Sequence, residues 1–495
     1  MPKTVLVFDL GVTVGRALLC RRDESGFTLE EIHRFPNVPV TVNGHLRWDI
    51  GELWEQIKTA IGFGVFNGGF DAISIEAWGG DFGLIGQDGE LLEDPVHFRD
   101  SRTDGMAEEV CAAVPAEELF RQSGVQPKAA DTLFQLNYLV RHEKNAIFRA
   151  ERLLMIPDLF AYFLTGECRS EFTTAVTTQL IDQKSRGWNL RLIEALGIPK
   201  RIFPPLIQPG ERYGALKQEL ADEFRIEPVP VYACASYERA SAALAVPASE
   251  EKYAFLNLGT RAYCGTELRR PSATGQAFAL GLSNDGGHGG RSTLVREYAG
   301  LELIQESRRW YNSTRCTGYS PSDLEGMARE AAPFLSFIDA SAPEFALPDD
   351  IPPKVQEYCR RTSQPVPMSS GEVMRCIYQS IACGAVSSLR ELTEFAGIAP
   401  GRLYAVGKGA GDGLLCQLIA DISGVPVIAG PQDAAALGSG VSALIALGEV
   451  QDIAQARRII ADSPLTREYL PQERESSIAA LERFNRLTNP PECAE

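Results

Sequence analysis

Residues 4–20 read TVLVFDLGVTVGRALLC, and residues 254–268 read AFLNLGTRAYCGTEL. Each is an apolar strand, a polar residue (Asp9 or Asn257), Leu-Gly, a short turn, another glycine and a second apolar strand. Strand, glycine turn, strand is a hairpin pattern. Its recurrence across the chain predicts two halves built on one supersecondary unit. Glycines let backbone N–H groups approach an anion, and a hydroxyl at the turn adds a donor. Thr13 with Arg16 in the first hairpin and Thr260 in the second therefore read as phosphate contacts. Asp9, at a strand end, suits Mg²⁺ held through water.

Around the first hairpin, Asp49 is placed to cap a helix carrying Leu53, Trp54, Ile57 and Ile61 at helical spacing. Ala72–Ala77 follows as a strand running into Trp78-Gly79-Gly80-Asp81-Phe82. Pro157 begins a short helix that stops at Thr165-Gly166, and the Pro-, Gly- and charge-rich stretch 203–230 reads as loops. Beyond the second hairpin, Arg402–Val406 is a strand and Gly407–Gly413 a glycine loop. Leu414–Ile422 is then a helix, Val425–Ile428 a strand, and Ala434–Leu447 a small-residue helix. Gly438 and Gly440 in that last helix predict close packing against a neighbour. The polar stretch 460–495 has helical potential.

At 495 residues, 44% hydrophobic and 23% charged, the chain has enough apolar material for more than one domain. A net charge of −17 argues against a nucleic-acid groove or an anionic membrane surface as its partner. No apolar run approaches the roughly 20 residues that span a bilayer. The 11 Cys form no Cys-x-x-Cys pair, which favours reduced thiols and a cytoplasmic location. Cys359 and Cys376 remain a candidate pair. There is no Gly-x-x-x-x-Gly-Lys-Ser/Thr loop, no protein-kinase signature set, and only a loose dinucleotide fingerprint at 407–413.

Several blocks, in one order, carry a family resemblance. They are Phe8–Gly11, Leu29–Phe35, Trp78–Phe82, Arg99–Thr103, Pro157-Asp158 with Leu164–Gly166, Thr177–Leu180, Leu258–Thr260 and Ala429–Pro431. Together they resemble the FGGY carbohydrate kinases, most closely the rhamnulokinase branch. The resemblance implies an α/β fold of two actin-like (ribonuclease-H-like) lobes with an interdomain cleft. A sugar-binding lobe is expected over 1–243 and a nucleotide-binding lobe over 244–495. It further implies transfer of the γ-phosphoryl of MgATP to a ketose hydroxyl, with ATP and Mg²⁺ as cofactors and a small sugar as the partner.

Carried over position by position, Val12, Thr13, Val14, Gly15 and Arg16 fall in the first phosphate loop, Val14 standing where a second hydroxyl is usual. Thr260, Gln305 and Gly409 match nucleotide-side positions, and Gly79 and Asp81 lie in the sugar-side motif. The catalytic carboxylate falls on Glu238, within Ser236-Tyr237-Glu238-Arg239, where the family has His-Asp-Thr. Glutamate is longer than aspartate by one C–C bond, about 1.5 Å, and Arg239 is a candidate ion-pair partner for it. Tyr237 and Arg239 then stand at sugar-binding positions, as does Glu297, which replaces an Asn. Arg261 replaces a Trp, and Lys408 and Asp412 enter the glycine loop. Two readings follow: a working ketose kinase with Glu238 as base, or a pseudokinase binding a sugar or metabolite on the same scaffold.

Overall fold

The computed structural model describes residues 2–346 and 349–488. The chain divides into two compact units. The first comprises residues 1–245, 267–294 and 434–463; the second comprises 246–266, 295–433 and 464–495. The first crossing, after Ala245, falls two residues from the boundary that the sequence suggested. The segments 267–294 and 434–463 return to the first unit, which a single boundary does not describe.

In the first unit a six-stranded sheet is made of β1 (Thr4–Leu10), β2 (Val14–Asp23), β3 (Gly26–Pro36), β4 (Ala72–Ala77), β5 (Arg212–Ala215) and β6 (Pro230–Tyr232), in the order β5-β6-β4-β1-β2-β3. β1, β2 and β3 run antiparallel in turn, and β4 and β6 are parallel to β1. β1 is central, and Val5–Phe8 are completely buried, as a strand covered on both faces requires. Leu6, Phe8 and Leu10 share a core with Leu53, Ile57 and Ile61 of the helix Ile50–Phe66. Asp49 caps that helix as expected, accepting from the Glu52 amide at 2.9 Å. On the other face, the helix Ala434–Ala446 lies against β1 and β2. A Cβ on Gly440 would fall 2.5 Å from Cys20 Sγ, and one on Gly438 only 1.8 Å from the Ser241 carbonyl oxygen. Both glycines are therefore required by close approach, as their sequence context predicted.

The stretch 203–230 is not simply loop. It holds β5, the start of β6 and the helix Gln218–Phe224. The two strands are short, and their stability comes from pairing within the sheet rather than from local propensity.

The second unit repeats the plan. Its sheet includes β7 (Phe255–Asn257), β8 (Arg261–Leu268), β9 (Ser292–Ala299), β10 (Leu403–Val406), β11 (Val427–Ala429) and β12 (Arg467–Tyr469), in the order β9-β8-β7-β10-β11-β12. β7 is antiparallel to β8 and parallel to β10, and β11 is parallel to β10. The hairpin, the central strand and the parallel neighbours thus occupy matching places in both sheets. One detail differs: the antiparallel edge strand precedes its partner in the first unit (β5) and follows it in the second (β12). The polar C-terminal stretch contains the helix Arg474–Thr488; residues 489–495 lie outside the described residues.

Candidate active site

In the first unit, Asp9 lies at the end of β1, in register with Arg16 on β2 and Glu76 on β4. Arg16 Nε donates to Asp9 Oδ2 at 2.9 Å, and the guanidinium also approaches Glu31 at 3.5 Å. Arg16, expected to meet phosphate, is thus engaged by two carboxylates of its own sheet. Glu76 is fully buried; burial foremost, and then the charge of Asp9, push its carboxyl well above the ordinary range. Glu238 adds to that effect, so Glu76 senses both of the other carboxylates. The turn itself is closed by Gly11 N–H donating to Val14 O at 3.0 Å, with Asn37 bonded to Gly11 O and Thr13 O. Thr13 is exposed and Val12 and Val14 half-buried. Gly15 is dictated by packing: a Cβ there would lie 2.2 Å from the Phe35 ring.

Glu238 is the first residue of the helix Glu238–Leu244. The backbone before it is held on several sides. Ala77 N donates to Ser236 O at 2.9 Å, Tyr237 N to Thr173 Oγ1 at 3.1 Å, and Ser241 Oγ to Ala235 O at 2.7 Å. From behind, Gly438 presses on Ser241. Arg239 Nε donates to Asp285 Oδ2 at 2.9 Å, and its guanidinium lies 5.7 Å from the Tyr237 ring centre. Asp285, which accepts this bond from Arg239, is a buried carboxylate that the sequence does not single out.

Gly79 follows β4, and a Cβ there would clash with Thr177 at 2.8 Å. Asp81 is fully buried and accepts from Trp48 Nε1 (2.7 Å), Trp78 Nε1 (3.0 Å), Gln135 Nε2 (3.0 Å) and the Phe98 amide (3.3 Å). Burial raises its carboxyl to about 6 against those four donors. With these bonds Asp81 orders the loop that carries Gly79. The Trp78 and Trp48 rings that donate to Asp81 meet at a tilt of 41°, with centres 4.3 Å apart.

In the second unit, Thr260 Oγ1 and the Gln305 side chain are 3.4 Å apart, and Leu301 N donates to Gly259 O at 2.9 Å. Gly409 N donates to Leu258 O at 2.7 Å, so the glycine loop lies against the hairpin. Three residues assigned to the nucleotide from sequence (Thr260, Gln305 and Gly409) are therefore brought together. Lys408 turns out to Asp433, with Nζ to Oδ1 at 2.5 Å. Asp412 caps the helix Gly413–Ser423, accepting from Leu415 N at 2.9 Å and Tyr378 OH at 2.6 Å. Leu414 N donates to Glu325 at 3.0 Å. The start of that helix is thus capped by carboxylates of its own unit. Glu297 is exposed on β9, and Arg261 is exposed at the start of β8.

Among the described residues no group of three or more His, Cys, Asp or Glu side chains is arranged to hold a metal ion. The donor set fits Mg²⁺ carried on a triphosphate, which keeps most of its waters and needs one carboxylate; Asp9 provides one. Cys359 and Cys376 are free thiols.

Residues 4–244 match the N-terminal domain of the FGGY family of carbohydrate kinases, and residues 256–447 match its C-terminal domain. The chain belongs to the FGGY family of carbohydrate kinases. Among relatives of this FGGY kinase, the rhamnulokinase of Bacteroides thetaiotaomicron is 34% identical over 485 residues, covering 98% of this chain and 99% of that one. The rhamnulokinase of Enterococcus faecalis is 34% identical over 480 residues, 96% of each chain. The fold resembles the ligand-bound xylulose kinase of Lactobacillus acidophilus, with a TM-score of 0.81, 18% identity and 98% of both chains covered. It also resembles Plasmodium falciparum glycerol kinase with ADP, with a TM-score of 0.77, 14% identity, and 99% and 98% covered. The two-lobed actin-like fold expected from the sequence is therefore that of this kinase. Glu76 and Asp285 escaped the sequence reading; a lone acid within the otherwise buried strand Ser74-Ile75-Glu76-Ala77 was the available signal for the first.

Proposed function

We propose that this FGGY kinase transfers the γ-phosphoryl of MgATP to a hydroxyl of a ketose, L-rhamnulose or a close analogue. The observation that carries the reading is Glu238: a carboxylate opening a helix whose preceding backbone is bonded by Ala77 of β4 and by Thr173, and whose charge acts on the buried Glu76. The full-length likeness to rhamnulokinases supports the choice of sugar.

Phosphoryl transfer requires positioning, neutralisation of charge and a base for the attacking hydroxyl. Glu238 takes that proton. Glu76, favoured in its neutral form by burial, spares the site a third negative charge beside Asp9 and Glu238. Gly79, Tyr237, Glu297 and Arg239, the last steadied by Asp285, contact the sugar. The turn 12–16, chiefly the Thr13 hydroxyl, and Thr260, Gln305 and Gly409 bind the nucleotide. Asp9 would hold Mg²⁺ brought in with the triphosphate, and that ion would supply neutralisation of phosphate charge.

The departures at 408 and 412, which had suggested a non-catalytic relative, have partners in their own unit, Asp433 and Tyr378, so neither side chain needs to obstruct a nucleotide. ADP release from MgATP in the presence of L-rhamnulose, other keto-sugars and polyols tests the proposal. Turnover on at least one ketose is expected, and no turnover on any would overturn it. Glu238→Gln should then lower kcat by about 10²–10⁴-fold while leaving the sugar KM nearly unchanged.

A further inference from the structure

Beneath the Glu238 segment lies a buried polar relay with no direct part in the chemistry. Glu171 is completely buried and caps the helix Phe172–Thr177. Its Oε2 accepts from Thr173 N at 2.9 Å, Thr174 N at 3.0 Å and Thr173 Oγ1 at 2.5 Å. With its proton committed to that carboxylate, the Thr173 hydroxyl keeps a lone pair for one other donor. That donor is the amide of Tyr237, the residue before Glu238, at 3.1 Å. The Ser236 amide acts on Glu171 as well. Successive bonds of this kind polarise one another in a dry interior.

Thr173 has a second neighbour. A Cβ on Gly286 would lie 2.9 Å from Thr173 Cα and 3.2 Å from its methyl, so the strand Ser283–Gly286 rests on this residue. The preceding residue, Asp285, grips Arg239. Thr173 therefore touches what fixes the residues on both sides of Glu238: Tyr237 by a hydrogen bond, and Arg239 through the Asp285–Gly286 backbone. Glu171 is anchored in turn. Its amide donates to Asp158 Oδ1 at 2.9 Å, and the same oxygen accepts from Tyr213 OH on β5 at 2.5 Å.

We infer that Glu171 and Thr173 are positioning residues for phosphoryl transfer, holding the Ser236–Tyr237 backbone so that Glu238 and Arg239 enter the site from a fixed origin. The inference rests on Glu238 being the base, but its test does not depend on activity alone. In Thr173→Val the hydroxyl is replaced by a methyl of nearly the same volume. Hydrogen exchange in the peptide covering residues 235–244 is expected to quicken in that variant and to return to the wild-type rate in Thr173→Ser. In steady-state assays kcat is expected to fall by about 10- to 10²-fold, with KM for MgATP unchanged and recovery in the serine variant. Thr173→Ala gives the same readout should valine prevent folding. Unchanged exchange at 235–244 overturns the inference whatever the rate does. Faster exchange that serine does not restore also overturns it, since the effect is then packing. A wild type inactive on every sugar defeats the kinase reading, and the exchange result still decides whether the relay holds the segment.

Discussion

The β1–β2 hairpin of the first unit and the β7–β8 hairpin of the second are closed in the same way. A Cβ on Gly11 would meet Val14 O at 2.8 Å, and one on Gly259 would meet Arg261 O at 2.9 Å. The residues facing each other across them differ. Asp9 faces Arg16 on one side and Glu76 on the other. At the matching positions Asn257 faces Tyr263 and Val406. Asn257 Nδ2 donates to Tyr263 OH at 3.0 Å, a neutral version of the Asp9–Arg16 pair. One backbone device has thus been used twice, with its charge retained once. The charged copy suits metal and proton chemistry, and the neutral copy suits holding a nucleotide already rich in negative charge.

The largest effect should come from erasing this difference. Asp9→Asn makes the first hairpin resemble the second and is expected to lower kcat by at least about 10²-fold, with a rise in the Mg²⁺ concentration needed for half-maximal rate. Magnesium titrations of the rate check both. Next is the packing behind the first hairpin. Gly438→Ala forces a methyl into the Ser241 carbonyl, and overpacking of this kind typically costs about 1–3 kcal/mol. Thermal unfolding should register it, together with reduced activity, because the same helix carries Glu238.

A smaller change is expected in the neutral copy. Thr260→Val removes one hydroxyl, worth about 0.5–1.5 kcal/mol, so KM for MgATP should rise roughly two- to tenfold with kcat little altered. The smallest effect is on stability against pH, and it too belongs to the first unit. Burial raises Glu171 from its ordinary 4.5 to about 7, against the opposing hydrogen bonds of Thr173 and Thr174. The folded state then binds more protons than the unfolded one between those values. Its contribution is complete below about pH 4.5, is lost as pH rises through 7, and is flat beyond. Unfolding midpoints measured from pH 5 to 8 should fall less steeply in Glu171→Gln than in the wild type.

The two hairpins were legible because glycine spacing and apolar runs are local signals, as were the Asp49 cap and the close-packing glycines 438 and 440. Glu238 became legible through its motif. What it rests on did not: Thr173 is more than sixty positions away from Tyr237, and Asp285 more than forty from Arg239. Such contacts are made by topology, and nothing in either local sequence announces them. Arg16 and Asp81 show the converse. Each has a residue type suited to a ligand, and the fold also bonds it to neighbouring groups that its local sequence does not announce.

The helix Ala434–Ala446 belongs to the first unit although nearly 200 residues separate it from Ala245. During synthesis the N-terminal sheet must therefore emerge with Cys20 and Ser241 still lacking their covering helix. It waits until most of the second unit has left the ribosome. A chain cut short anywhere before residue 434 would leave that face bare, exposing apolar surface and the helix that presents Glu238. Both the timing of folding and the fate of truncated products are thus set by one late, glycine-bearing segment.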